Sequence, residues 1–202
     1  MEAQRKTVET RDALKTIDDL ASLPEGEKAE LLGGEIVMMA PASFRHSRLV
    51  SGLTSILWNY CESQKIKGPK GPESWIVIAE AWTFYDRHNS FVHDLAAFIR
   101  SEVPLSIKGP VRSKPTWVCE ILSPSNWYND MNHKREMLEK HKVPYYWIVD
   151  PEKEMIQIFY LEESAKHYRI LKIFGREDGE ARLAPFNEMT INLKTLFGED
   201  KE

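Results

Sequence analysis

The chain has 202 residues, 42% of them hydrophobic, and a formal net charge of −4. That length suits one domain with a sizeable core, and no apolar run reaches the roughly 18 residues a membrane-spanning helix needs. An acidic balance argues against a protein that coats nucleic acid with its whole surface. The charge is uneven, however: residues 37–142 carry 14 basic and 10 acidic side chains, a locally basic middle between two acidic ends. Local potential, not net charge, decides whether a phosphate backbone is attracted. The opening segment MEAQRKTVETRD lacks the apolar stretch of a secretory leader. Cys61 and Cys119 have neither the number nor the spacing of a disulfide frame or zinc site. A cytoplasmic setting and no membrane partner are the expectations.

Residues 1–15 are polar and read as a flexible tail, with a single domain over 16–198. Residues 16–23 (TIDDLASL) predict a short helix capped by Thr16, with Asp19 three residues on and Pro24 as its stop. Two apolar runs, 29–32 and 35–39, flank Gly33-Gly34 and predict a hairpin. Residues 43–61 hold the clearest helical pattern, with Leu49, Leu53, Ile56, Leu57 and Tyr60 on one face. His46 shares that face, where a half-buried ring satisfied by a backbone carbonyl is its simplest account. Residues 65–72 (KIKGPKGP) read as a basic, broken loop. Residues 75–85 and 91–100 predict two strands about a turn at 86–89, the first bent near 79–81. Period-two alternation places Val92, Asp94, Ala96 and Phe98 on one face.

Residues 117–122 (WVCEIL) predict a strand with Val118, Glu120 and Leu122 on one face. A carboxylate inside an apolar strand is costly unless something pairs with it or binds it. Ser125 or Asn126 is placed to cap the next helix, over 130–141, whose apolar arc holds Met131, Lys134, Met137, Leu138 and His141. A lysine within that arc either snorkels or faces the surface that Glu120 occupies. Asp130, in the first turn, reads as a dipole-favoured cap. Residues 145–150 and 155–161 predict strands about a turn at Pro151, shaped by Asp150. Further strands are expected at 166–174 and 181–184, and a short terminal helix at 191–197. Strands interleaved with two main helices give an α/β fold, a mixed central sheet flanked by helices with additional hairpins.

Phosphodiester hydrolysis needs an ion that neutralises the scissile phosphate and acidifies the attacking water. Hard cations take carboxylate oxygens and keep several waters, and a nearby lysine stabilises developing charge. Asp94, Glu120 and Lys134 supply that inventory. On pattern alone, a structural ion pair between Lys134 and Glu120 explains the same residues equally well.

LLGGEIVMMAP (31–41) followed by His46 on a helix, HDLAAF (93–98), WVCEILSPSN (117–126) followed by Asp130 and Lys134, and VPYYWIVDP (143–151) carry a resemblance. From about residue 16 to 197 the chain resembles the Uma-type restriction-endonuclease family, a branch of the PD-(D/E)xK nuclease superfamily. The resemblance implies a restriction-endonuclease-like core and cleavage of DNA dependent on Mg²⁺ or Mn²⁺. Asp94 then matches the aspartate of the motif and Glu120 its second acid, with the backbone carbonyl of Ile121 as third metal ligand. His93 stands where the motif has proline, a structural position whose loss matters little. Leu122 stands where the motif has lysine, and Lys134 resembles a migrated replacement. Glu35, sharing a face with Val37 and Met39, resembles the extra acid found near the metal, and His46 is a further candidate. A homodimer suits cutting both strands of a duplex. The missing in-motif lysine keeps open a second reading, a catalytically degenerate DNA- or protein-binding module on the same fold.

Overall fold

The computed structural model describes residues 13–63, 75–123 and 129–198. The expected loop over 65–72, the cap at Ser125 or Asn126, the Asp130 side chain and the tail up to residue 12 lie outside the described residues. Helix α1 (Ile17–Ala21) begins with the expected capping box, in which the Asp19 carboxylate accepts the Thr16 N–H at 2.7 Å. Strands β1 (Ala29–Leu32) and β2 (Glu35–Met38) turn through Gly33 and Gly34 at φ +58° and +84°. Both central residues of a type I′ turn need positive φ. Helix α2 (Phe44–Ser63) leads to a long hairpin, β3 (Trp75–Asp86) and β4 (Asn89–Ile99), and then to β5 (Trp117–Ile121).

The helix expected over 130–141 has two parts. Asn129–Lys134 winds as a wider π-helical turn, and α3 (Arg135–Lys140) continues it as an α-helix. Strands β6 (Tyr145–Asp150), β7 (Met155–Tyr160) and β8 (Arg169–Gly175) follow. Asp150 shapes the β6–β7 turn as expected, its Oδ1 accepting the N–H groups of Glu152 and Lys153 at 3.0 Å each. The strand expected at 181–184 shortens to β9 (Glu180–Ala181). The segment expected as one helix over 191–197 starts as β10 (Ile191–Asn192) and turns helical only as α4 (Leu193–Phe197). The Asn192 side chain accepts the Thr195 N–H, and that cap sets the boundary.

Eight strands form one mixed sheet in the order β2-β1-β4-β5-β6-β7-β8, with β3 also paired to β4. Among the described residues, only the β5–β6 pair of this sheet is parallel. One face buries Leu95, Ala97, Trp117, Cys119, Trp147 and Val149 against Leu49, Leu53 and Leu57 of α2 and Leu193 and Leu196 of α4. The other face buries Ala96, Phe98, Val118, Tyr146 and Ile148 against Leu138 of α3. Both cysteines are buried free thiols, and no helix among the described residues is long and apolar enough to cross a membrane.

One irregularity positions the site. Strand β3 follows β4 along one edge from Asn89 to Ile99. The opposite edge is shared: β1 pairs at Ser90, and β5 pairs at Leu95, Ala96 and Ala97. Between them, no strand among the described residues pairs with residues 91–94 of β4 on that edge. Backbone N–H groups left in such a gap need other acceptors.

Candidate active site

Carboxylates fill the gap. The Val92 N–H donates to Glu30 Oε1 of β1 at 2.8 Å, and the Asp94 N–H approaches Glu120 Oε2 of β5 at 3.4 Å. In return, the Ile121 N–H donates to Asp94 Oδ2 at 2.7 Å. Side chains thus replace the ladder bonds where β1 and β5 part. Each acid is held by the backbone of a neighbouring strand, which places it more rigidly than a loop would.

Lys134 arrives from the opposite layer, at the last residue of the π-helical turn. Its Nζ lies 2.9 Å from Glu30 Oε1 and 3.4 Å from Glu120 Oε1. Lys134, Glu30 and Glu120 are all buried, at 3%, 4% and 1% exposure. The lysine therefore does not snorkel to water. Turns of π-helix inside longer helices are frequent at functional sites, and here one ends on the residue that reaches the acids.

Asp94 faces the other way. The expected alternation with Ala96 and Phe98 reverses at this residue. His93 and Phe91 turn towards the layer that holds Ala96 and Phe98, while Leu95 packs into the α2 layer between them. The partner strand shows the cause. Glu80, opposite Asp94 between the pairs Ala79–Leu95 and Ala81–His93, has φ +48°. This is the expected bend near 79–81, and a non-glycine residue held there stores on the order of 1–3 kcal/mol of strain. The reversal brings Asp94 to α2, where His46 Nε2 lies 3.0 Å from its Oδ2. His46 thus meets a carboxylate, rather than only the backbone carbonyl expected for it. A cleft of about 410 Å³ opens on His46, His93, Asp94 and Ser123, walled by Lys28 and Glu80.

Glu120 is held on its other side by His93. The His93 ring is fully buried, its Nδ1 bonded to Glu120 Oε1 and its Nε2 2.7 Å from the Tyr85 hydroxyl. Burial, with the Lys134 charge adding to it, lowers the His93 pKa to about 3, so the ring is neutral. Burial also raises the Glu120 pKa to about 8; Lys134 opposes this, while Asp94 and Glu30 add to it.

Asp94, Glu120, Ile121, Lys134 and His46 therefore come together. Glu35 does not. It is exposed on the outermost strand, opposite Leu32 beside the glycine turn. Its face is the one expected, shared with Val37, but the row that reaches the gap is Glu30–Val37. Glu30 occupies the place expected of Glu35. Its signal was in the sequence, an acid within the apolar run AELL, the same signature that singles out Glu120. His93 and Tyr85 were also missed, since their contact depends on the β3–β4 register.

The chain is an α/β protein with a mixed sheet whose β4–β5 junction carries clustered acids and a lysine. A family model, Uma2, described as "Putative restriction endonuclease", matches residues 15–194, and the chain belongs to that family. The chain is also similar in fold to a solved structure described as a "putative nuclease belonging to DUF820" from Anabaena variabilis ATCC 29413. The TM-score is 0.70 at 22% identity, covering 90% of this chain and 97% of that one. No protein of curated function matches. The expected restriction-endonuclease-like α/β core is the fold observed.

Proposed function

We propose that the protein is an endonuclease that hydrolyses the phosphodiester backbone of DNA with Mg²⁺ or Mn²⁺, held by Asp94, Glu120 and the Ile121 carbonyl. The observation that carries this reading is electrostatic. Glu30 and Glu120 place two buried carboxyl groups around one lysine ammonium, and the nearby Asp94 charge adds to the load on Glu120 beside a neutral His93. The Lys134 charge does not bring Glu120 back to the ordinary carboxylate range. A bound divalent cation supplies the missing positive charge, and Mg²⁺ asks only one or two carboxylates of the protein.

The ion, when bound, polarises the phosphate and makes a bound water acidic. The protein's own residues set the stage. The Ile121 N–H fixes Asp94 Oδ2. Glu30 holds the Lys134 ammonium beside Glu120, where its charge favours an anionic phosphate in a water-poor site. His46 flanks Asp94 on the open cleft, within reach of a substrate or its water. Two such sites, one per copy of a homodimer, would cut both strands of a duplex. Two buried thiols suit a reducing, cytoplasmic setting.

One observation favours a second reading, a binding module without catalysis. Lys134 already has two carboxylate partners, and among the described residues no three His, Cys, Asp or Glu side chains are grouped to hold an ion by themselves. Supercoiled plasmid separates the two. The endonuclease produces nicked and linear forms with Mn²⁺ or Mg²⁺ and none with EDTA. Folded protein that leaves the plasmid supercoiled at every metal concentration yet retards DNA at low salt would support the binding module instead.

A further inference from the structure

We propose that Tyr85 and His93 act as a positioning pair that fixes the orientation of the Glu120 carboxylate for its role at the metal. The inference rests on the endonuclease reading above. It starts from donor and acceptor roles. The Glu120 carboxylate in the ionised form that would hold an ion only accepts, so in that state the hydrogen on His93 lies at Nδ1 and points at Oε1. The Tyr85 hydroxyl lies 2.7 Å from Nε2, the ring's other nitrogen, and is placed to donate to it. The chain runs in one direction, from Tyr85 O–H to His93 Nε2 and from His93 Nδ1–H to Glu120 Oε1. The hydroxyl selects the tautomer, and the tautomer selects the oxygen.

The pair is built to stay in place. Phe91 packs against both rings, at centroid distances of 5.1 Å to Tyr85 and 5.9 Å to His93, and His141 closes on Tyr85 at 5.1 Å. A glutamate side chain has three rotatable bonds, and two contacts on one oxygen remove that freedom. With Oε1 engaged by His93 and Lys134, Oε2 is the oxygen that lies towards the Asp94 backbone N–H, at 3.4 Å. The residue that stands for the motif's proline is thus the one that orients the motif's second acid. Partners that orient a ligating carboxylate are worth about 10–100-fold in metal affinity.

The test is titration of Mn²⁺ into the wild type, Tyr85→Phe, His93→Leu and His93→Asn, followed by calorimetry, with thermal melts as the control for folding. Tyr85→Phe, which removes one hydroxyl, is expected to bind about 10-fold more weakly, and His93→Leu up to about 100-fold more weakly. His93→Asn is expected to recover part of the loss, because its amide N–H can take the place of Nδ1–H. Cleavage should recover towards the wild-type rate at saturating Mn²⁺ in Tyr85→Phe. Should His93→Leu not fold, Tyr85→Phe decides alone. Wild-type affinity in folded Tyr85→Phe overturns the pair and leaves the endonuclease reading standing. No Mn²⁺ binding by the wild type overturns both.

Discussion

Replacing Glu120 with glutamine is expected to make the metal-free protein more stable. Glutamine keeps a carbonyl oxygen to accept the His93 Nδ1–H, and Lys134 keeps Glu30 at 2.9 Å. What is lost is a charge buried to 1% exposure. Raising the Glu120 carboxyl from 4.5 to about 8 penalises its ionised form by on the order of 5 kcal/mol at full development. The folded state binds this proton more tightly than the unfolded chain. Stability therefore falls as pH rises from about 4.5 to about 8 and levels off above. Urea unfolding in EDTA at pH 5, 7 and 8.5 reads this directly. Glu120→Gln should match the wild type near pH 5 and exceed it increasingly towards pH 8.5, and Mn²⁺ should narrow the gap by stabilising only the wild type. A variant that is instead less stable than the wild type by more than about 1 kcal/mol at pH 8.5 would refute the reasoning. Glu120 would then be a structural partner of Lys134.

Lys134→Met strands Glu30 and Glu120 without their ammonium. It should lower stability by about 3–5 kcal/mol in denaturant melts and plasmid cleavage by at least about 100-fold; wild-type stability would show that the pairing is unimportant. Glu30→Gln should reduce cleavage about 10-fold or more, whereas Glu35→Gln, at an exposed position, should cleave as the wild type does. The reverse order of those two variants in a plasmid assay would return the extra acid to β2.

The parts of this molecule that follow a local period were legible in the sequence. The α2 face, the strand register of WVCEIL and the glycine hairpin each depend on residues a few positions apart. The anomaly of Glu120 and Lys134 showed for the same reason, as charges breaking an apolar pattern. The rest depends on which strands meet. Glu30 and Glu35 are both acids in short apolar runs, and only the seating of β1 against β4 selects Glu30. Strict alternation places Asp94 with Ala96 and Phe98, and that alternation reverses opposite Glu80, whose φ is positive on the facing strand. His93 could be read only as a missing proline, because its partners Tyr85 and Glu120 lie on two other strands. A 100° step puts Lys134 in the apolar arc, and the π-helical turn does not follow that step. Its ammonium reaches Glu30 and Glu120 from the last residue of that wider turn.

The central claim is that Asp94 and Glu120 together hold a divalent ion for phosphodiester cleavage. Asp94→Asn keeps an oxygen for the Ile121 N–H and removes the charge. With supercoiled plasmid and Mn²⁺, the wild type should give nicked and linear products, while Asp94→Asn, folded to the same melting temperature or higher, should give none. Wild-type cleavage by the folded Asp94→Asn protein would contradict the account.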